Sequence, residues 1–354
     1  MACMAFKMDQ LEDVFSESLC VERRINDTAA PHPRLSQFKQ RGGQSSEDRR
    51  LNKLDAQKKN RLDYVNKARC LAEEDWSNYE ENEDEEDMDS GSCSKDARHK
   101  NRRPRYYRNQ LMLSEWLVDV PPNLAMDWLM VPCPVGRRNL IVAAKGKTSS
   151  YSKSGYRLSV FPSLLPGGCR KHKHNNTDYS LLDCVFHEAT QTFYVLDIMC
   201  WRGHPVYDSD TEFRFYWLQT KLSEAPELAV QSSINPYRFL ALPSYPCNPS
   251  AIENTMAKPP PFEAELDGLL FYHKKTHYTT GSTPLVGWLK PWMLPDMLGV
   301  PVPDSIMASK PHGADLKPPD PSMDAANTVN IDAEAGDTKC AAGGRDERIK
   351  TLDS

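Results

Sequence analysis

Phe193-Tyr194-Val195-Leu196 is an unbroken run of aromatic, β-branched and aliphatic residues, and it reads as a β-strand. Leu140-Ile141-Val142-Ala143-Ala144, Phe213-Arg214-Phe215-Tyr216-Trp217 and Leu269-Leu270-Phe271-Tyr272 read the same way. Turn signals such as Pro166-Gly167-Gly168 and Arg202-Gly203-His204-Pro205 separate these runs. Every tryptophan except Trp76 lies in the same region, from about Tyr106 to Val300. Many strands with few long helical patterns predict an α+β domain dominated by antiparallel sheet.

Outside that region the chain is polar. Apolar residues make up 39% of the 354, and the 27 prolines point to a sizeable unpacked fraction. The net charge of −5 argues against nucleic acid only as an average, because the charge is segregated into blocks. The ten cysteines form no C-x-x-C pair, and the histidines offer no zinc-like spacing. The amino terminus lacks the order of a secretion signal, and no run approaches the roughly 18 apolar residues a span needs. The expectation is a soluble, reduced protein of the cytosol or nucleus, with no metal, no cofactor and no membrane contact.

Near the amino terminus, Met8, Leu11, Phe15, Leu19 and Val21 form an apolar ladder with acidic or small residues between them. Two readings stand: docking on the chain's own domain, or filling a partner's groove. From Arg34 to Arg69 there are eleven cations: Arg34, Lys39, Arg41, Arg49, Arg50, Lys53, Lys58, Lys59, Arg61, Lys67 and Arg69. Ser45 to Asp48 resembles a capping box, and no Gly or Pro follows before Leu71, which predicts a basic helix. Its apolar stripe (Leu51, Leu54, Leu62, Val65, Leu71) is thin, so it reads either as a solvated helix or as one that orders on an acidic partner. Glu73 to Asp89 then carries eleven acidic residues and no cation, the composition of a disordered linker. A further expectation is that this block shields the basic helix. A second basic patch runs from Lys95 to Arg108, and after Pro303 the chain turns polar and almost free of aromatics.

Cys133-Pro-Val-Gly-Arg-Arg138 resembles the Lys-x-Asp-Gly-x-Arg nucleophile motif of mRNA guanylyltransferases and nucleic-acid ligases. Asp267-Gly-Leu-Leu-Phe271, Tyr278-Thr-Thr-Gly281 and Trp288-Leu-Lys-Pro291 resemble later motifs of that superfamily. Two departures stand out: Cys133 replaces the lysine and Val135 replaces the aspartate. A thiol cannot form the phosphoramidate intermediate, so the expectation is a guanine-nucleotide-binding module without catalysis.

Longer strings extend the resemblance. Ala29-Ala-Pro-His-Pro-Arg-Leu-Ser36, Arg61-Leu-Asp-Tyr-Val-Asn66, Asn109-Gln-Leu-Met-Leu-Ser-Glu-Trp-Leu117, Met199-Cys-Trp-Arg-Gly-His-Pro205 and Gly281-Ser-Thr-Pro-Leu-Val-Gly-Trp288 are similar to the snurportin family over about residues 8–303. That resemblance implies a nuclear-import adaptor. It would bind the trimethylguanosine cap of spliceosomal U snRNPs, link them to importin β, and shuttle between nucleus and cytoplasm with an exportin that reads leucine-rich signals.

It also implies residue roles. Trp288 stacks on the cationic base, and Leu113 closes the far side of the cap's stacked pair. Trp116 touches the N2 methyl groups, Ser114 and Cys133 reach the guanine edge or sugar, and Arg138 and Lys153 neutralise the triphosphate. The basic helix becomes an importin-β-binding domain and the apolar ladder an export signal. The residues alone leave Trp288 open as a core tryptophan, Arg138 as a surface cation and Cys133 as a small buried residue.

The implied layout is an export-signal-like segment at 1–25, an importin-β-binding helix with its lead-in at 26–71, and a disordered linker at 72–104. A cap-binding domain at 105–303 and a disordered tail at 304–354 follow. The implied fold is α+β, mostly antiparallel, like the GTP-binding domain of guanylyltransferases and preceded by an isolated basic helix. Rival readings are a guanylyltransferase or ligase relative, and a karyopherin-binding scaffold without RNA.

Overall fold

The computed structural model describes residues 45–59, 64–74, 107–169 and 178–310. The basic segment supplies α1 (Ser46–Lys59) and α2 (Tyr64–Glu73). Then come β1 (Met112–Trp116), α3 (Leu124–Asp127), β2 (Trp128–Pro134), β3 (Arg137–Ala144), β4 (Lys147–Ser152), β5 (Arg157–Phe161), β6 (Ser180–His187), β7 (Thr192–Trp201) and β8 (His204–Pro205). The chain continues through α4 (Thr211–Ser223), β9 (Arg238–Ala241), β10 (Tyr245–Pro246), α5 (Pro249–Met256), β11 (Leu266–His273) and β12 (Gly281–Leu289). It closes with α6 (Leu294–Leu298) and α7 (Asp304–Ala308).

Two sheets organise these elements. The first has the order β1-β12-β11-β2-β10, with β1 parallel to β12 and the other pairs antiparallel. The second has the order β5-β4-β3-β6-β7-β8, all antiparallel, with β9 added parallel to β7. The domain is therefore α+β and mostly antiparallel.

Three cores follow from side-chain alternation along the strands. The central one includes Leu113, Val131, Cys133, Leu140, Val142, Leu270, Tyr272 and Trp288 from both sheets, so it lies between them. Phe271, Leu269, Leu289 and Met130 point the other way, onto Ile252, Met256 and Leu294 of α5 and α6. Ile141, Leu182 and Val195 cover the outer face of the second sheet against Leu218 and Leu222 of α4. Each fully buried side chain of this kind contributes about 1.5–3 kcal/mol relative to exposure.

Leu140–Ala144, Phe193–Leu196 and Leu269–Tyr272 lie in β3, β7 and β11 as strands. The Arg202-Gly203 signal is the β7–β8 hairpin turn, with φ of 51° and 75°. Phe213–Trp217 is a correction, because it lies inside the helix α4. The buried positions Thr211, Arg214, Phe215, Leu218 and Leu222 follow a 3.6-residue period, while Phe213 and Tyr216 are 45% and 69% exposed. A buried ion pair fixes this choice: Arg214 donates from Nε and Nη2 to Asp197 at 3.0 and 2.9 Å, both side chains being fully buried. Leaving either charge unpaired in that site would cost several kcal/mol, more than the roughly 1 kcal/mol span of strand propensities.

The basic segment also differs from an isolated helix. Ser45 caps it, its Oγ accepting from Asp48 N at 3.0 Å, as the capping-box reading requires. The apolar stripe is indeed thin, with Leu51 and Val65 more than half exposed. Docking is carried by other groups. Arg49 pairs with Glu115 at 2.8 Å. Arg50 is 6% exposed, donates to the Asp119 carbonyl and lies 5.7 Å over Trp128. Gln57 exchanges hydrogen bonds with the backbone of Lys275 and His277. On α2, Ala68, Leu71 and Ala72 enter the central core, and Tyr64 stacks on Tyr207 at 5.1 Å. Arginine forks and small residues are invisible to a count of large apolar side chains.

Candidate cap-binding cleft

The first sheet presents Leu113, Ser114 and Trp116 on β1, Cys133 on β2 and Trp288 on β12, while the second presents Arg138 on β3. The strand order explains why residues so distant in sequence meet. β1 and β12 are parallel neighbours that place Trp116 opposite Trp288. β11 joins them to β2, with Leu270 opposite Trp288 and Gly268 opposite Cys133.

All but Trp116 are deeply buried: Leu113 4%, Ser114 1%, Cys133 1%, Arg138 8% and Trp288 2% exposed. Trp116 is half-buried and packs against both the central and the outer core. Lys153 is half-buried in the β4–β5 turn, where its carbonyl accepts from Asn109 N. Leu113, Cys133 and Trp288 share the central core, Trp116 packs against it, Arg138 donates to the Met112 carbonyl on β1, and Lys153 stands at a turn of the second sheet.

Several buried polar atoms here have no hydrogen-bond partner among the described residues: Ser114 Oγ, Trp116 Nε1, Trp288 Nε1, Tyr272 OH and Asp267 Oδ2. A buried polar group left unpaired costs about 1–3 kcal/mol. Such atoms have bonding capacity left for water or a polar ligand.

Arg138 is not a free cation. Its Nε and Nη2 fork the Asp183 carboxylate at 2.5 and 2.7 Å, and Nη2 also donates to the Met112 carbonyl at 3.1 Å. Tyr278 donates to the same carboxylate at 2.7 Å. Burial opposes the guanidinium's charge, but Asp183 more than compensates and holds its pKa above the ordinary arginine value. Cys133 is a neutral thiol, with burial pushing its pKa up to about 12.

Sequence reading missed Asp183, Tyr272, Tyr278, Gly268, Asp267 and Lys290. Four of them stood inside the quoted motif strings; Asp183 and Tyr272 carried no signal of their own. Gly268 is required by close approach: a Cβ there would fall 2.3 Å from Trp288 Cζ2. Among the basic residues, Arg49, Arg50 and Lys67 face the domain, whereas Lys53, Lys58 and Arg69 are exposed. Arg34, Lys39, Arg41 and Arg61 lie outside the described residues, as do Met8, Leu11, Phe15, Leu19 and Val21; Lys59 ends α1. A cavity of about 1050 Å³ opens elsewhere, between α4 and the β3–β4 and β7–β8 turns at one end of the second sheet, and no expected cap residue lines it.

The ligase domain of M. tuberculosis LigD has a similar solved structure at a TM-score of 0.35 and 13% identity. The match covers 50% of this chain and 58% of that one, so the chain spans under two thirds of its length. A structure titled Pmar-Lig_PreS3 gives 0.36 at 11% identity, covering 51% and 46%. A Lig E DNA ligase structure gives 0.34 at 15%, covering 51% and 67%. The family models reach further. The model described as Snurportin1, m3G cap-binding domain, matches residues 110–291, just over half of the chain, and the model described as Snurportin1 matches residues 32–70. The first match contains every strand from β1 to β12 and the second contains α1, so the chain belongs to the snurportin-1 family.

Proposed function

We propose that the cleft between the two sheets holds the trimethylguanosine cap of a U snRNA, and that the basic segment links this cargo to importin β. The cluster of unpartnered buried polar atoms beside Trp288, within the segment matched by the cap-binding model, carries this reading. Trp288 offers a face for the cationic base, Leu113 the apolar cover, and Trp116 a surface for the N2 methyl groups. Ser114 Oγ, with no partner among the described residues, offers a hydroxyl for the guanine edge. Arg138 serves the triphosphate in this reading while Asp183 and Tyr278 keep it oriented, and Lys153 supplies a second cation.

Catalysis is not part of the reading. A thiol with its pKa near 12 is not a nucleophile at neutral pH, and it cannot make the phosphoramidate that nucleotidyl transfer needs. Transport resides in the amino-terminal third. The exposed cations of α1 and α2 suit an acidic solenoid such as importin β, and engaging Arg49 and Arg50 as well requires undocking α1. Recycling through an exportin that reads the ladder at Met8, Leu11, Phe15, Leu19 and Val21 completes a shuttling cycle between cytoplasm and nucleus.

The test is tryptophan-fluorescence titration of the full chain with trimethylated and monomethylated cap dinucleotides. Saturable quenching that favours the trimethylated cap is expected. Trp288→Ala should weaken it about 5- to 150-fold, the equivalent of roughly 1–3 kcal/mol per stacked base. No binding to either cap would leave the karyopherin-binding scaffold as the surviving reading.

A further inference from the structure

Asp267 and Lys290 form a second ion pair in the cleft that no role yet explains. Asp267 stands on β11 where the pairing register with β2 shifts between Leu266 and Gly268. Lys290 follows β12 directly after Leu289. Lys290 Nζ is 2.5 Å from Asp267 Oδ1, and the two side chains are only 18% and 10% exposed. Asp267 Oδ2 is buried and has no partner among the described residues. The same Nζ lies 5.6 Å from the centre of the Trp288 ring, within cation–π range. Gly268, next to Asp267, pairs opposite Cys133 on β2, so the ion pair stands beside Cys133 and Trp288.

The protein itself therefore supplies a cation near the tryptophan ring and a carboxylate holding that cation with one oxygen. An N7-methylated guanine has matching chemistry. It is flat and permanently cationic, and it keeps an N1–H donor even when both N2 protons are replaced by methyl groups. Two cations on one ring face repel, so the base and Lys290 cannot occupy it together.

Resting on the cap-binding reading above, we infer that Asp267 is the counter-ion and hydrogen-bond acceptor of an N7-alkylated, cationic purine, and that Lys290 is a resident cation which this base displaces. Burial raises the pKa of Asp267 more than Lys290 lowers it, and in the exchange the arriving cation takes over from Lys290 as the charge opposing the carboxylate. Selectivity for N7 methylation then comes from charge, and the N2 methyl groups are read elsewhere.

The full chain is titrated with two dinucleotides that differ only in the N7 methyl group: the trimethylated cap and its neutral N2,N2-dimethyl counterpart. Asp267→Asn should lose about 10- to 100-fold for the cationic cap, the range of a charge-assisted hydrogen bond. It should change affinity for the neutral cap less than threefold, and Asp267→Glu should restore the preference. Lys290→Met should bind the cationic cap as tightly as the parent or several-fold tighter, because a competitor is gone. Equal losses for both caps in Asp267→Asn would make the carboxylate merely structural and overturn the inference. Weaker binding in Lys290→Met would overturn the displacement. A parent chain that binds neither cap would instead remove the cap-binding reading itself.

Discussion

Gly268→Ala adds one methyl group at the tightest point of the cleft. The new Cβ would meet Trp288 at 2.3 Å (Cζ2), 2.5 Å (Cη2) and 2.8 Å (Cε2), against the 3.4–4 Å of ordinary contact. The ring has to retreat by about 1 Å, and at 2% exposure it has no solvent to retreat into. Overpacking of this kind costs about 1–3 kcal/mol. Gly268 is not among the glycines with positive φ, so alanine also recovers about 0.4–1 kcal/mol of unfolded-state entropy. The net expectation is a loss of about 1–2 kcal/mol in urea unfolding. Displacing the stacking ring should weaken cap binding by about 5- to 150-fold, as complete removal of the ring does. Gly281→Ala is the control. Nothing lies within 4 Å of its Cβ, but φ is +87°, so stability should fall through backbone strain while cap affinity stays within twofold. A Gly268→Ala protein with the parent's urea midpoint and cap affinity would show that the ring does not sit against this backbone, and would refute the reasoning.

Three further outcomes are expected. Asp183→Asn strands the buried guanidinium of Arg138 and should cost about 3–5 kcal/mol in urea unfolding, whereas the paired Asp183→Leu, Arg138→Met protein should recover most of that while losing cap affinity. Cys133, Cys200 and Cys247 all have pKa values raised to about 12, chiefly by burial. The unfolded chain therefore releases these protons first, so their stabilisation is intact below about pH 9 and declines by about 1 kcal/mol per thiol for each pH unit from 9 towards 12. A urea midpoint that stays flat from pH 8 to 11 would contradict this. Arg50→Ala removes the buried hydrogen bond to the Asp119 carbonyl, and it should raise amide exchange across α1 at least tenfold while the strands of both sheets keep their protection.

The sequence by itself determined a good deal of this protein. Unbroken runs of aromatic and aliphatic residues located β3, β7 and β11, because a strand buried in a sheet needs apolar side chains whatever surrounds it. Ser45 announced the start of α1, because a cap is a local hydrogen bond. Motif strings marked Leu113, Ser114, Trp116 and Trp288 as candidates for the site, and these stand on the neighbouring strands β1 and β12. Tertiary structure decided the rest. It made Phe213–Trp217 a helix, because the charge of Asp197 had to be met by Arg214 from a residue far along the chain. It docked the basic segment through Arg49, Arg50 and Gln57, polar contacts with no hydrophobic signature, beside a short buried edge of Ala68, Leu71 and Ala72. It turned Arg138 inward onto Asp183 and Tyr278, and it brought Lys290 onto both Asp267 and Trp288. Pairings between distant charges depend on which strands become neighbours, and one-dimensional patterns of hydrophobicity carry no record of that choice.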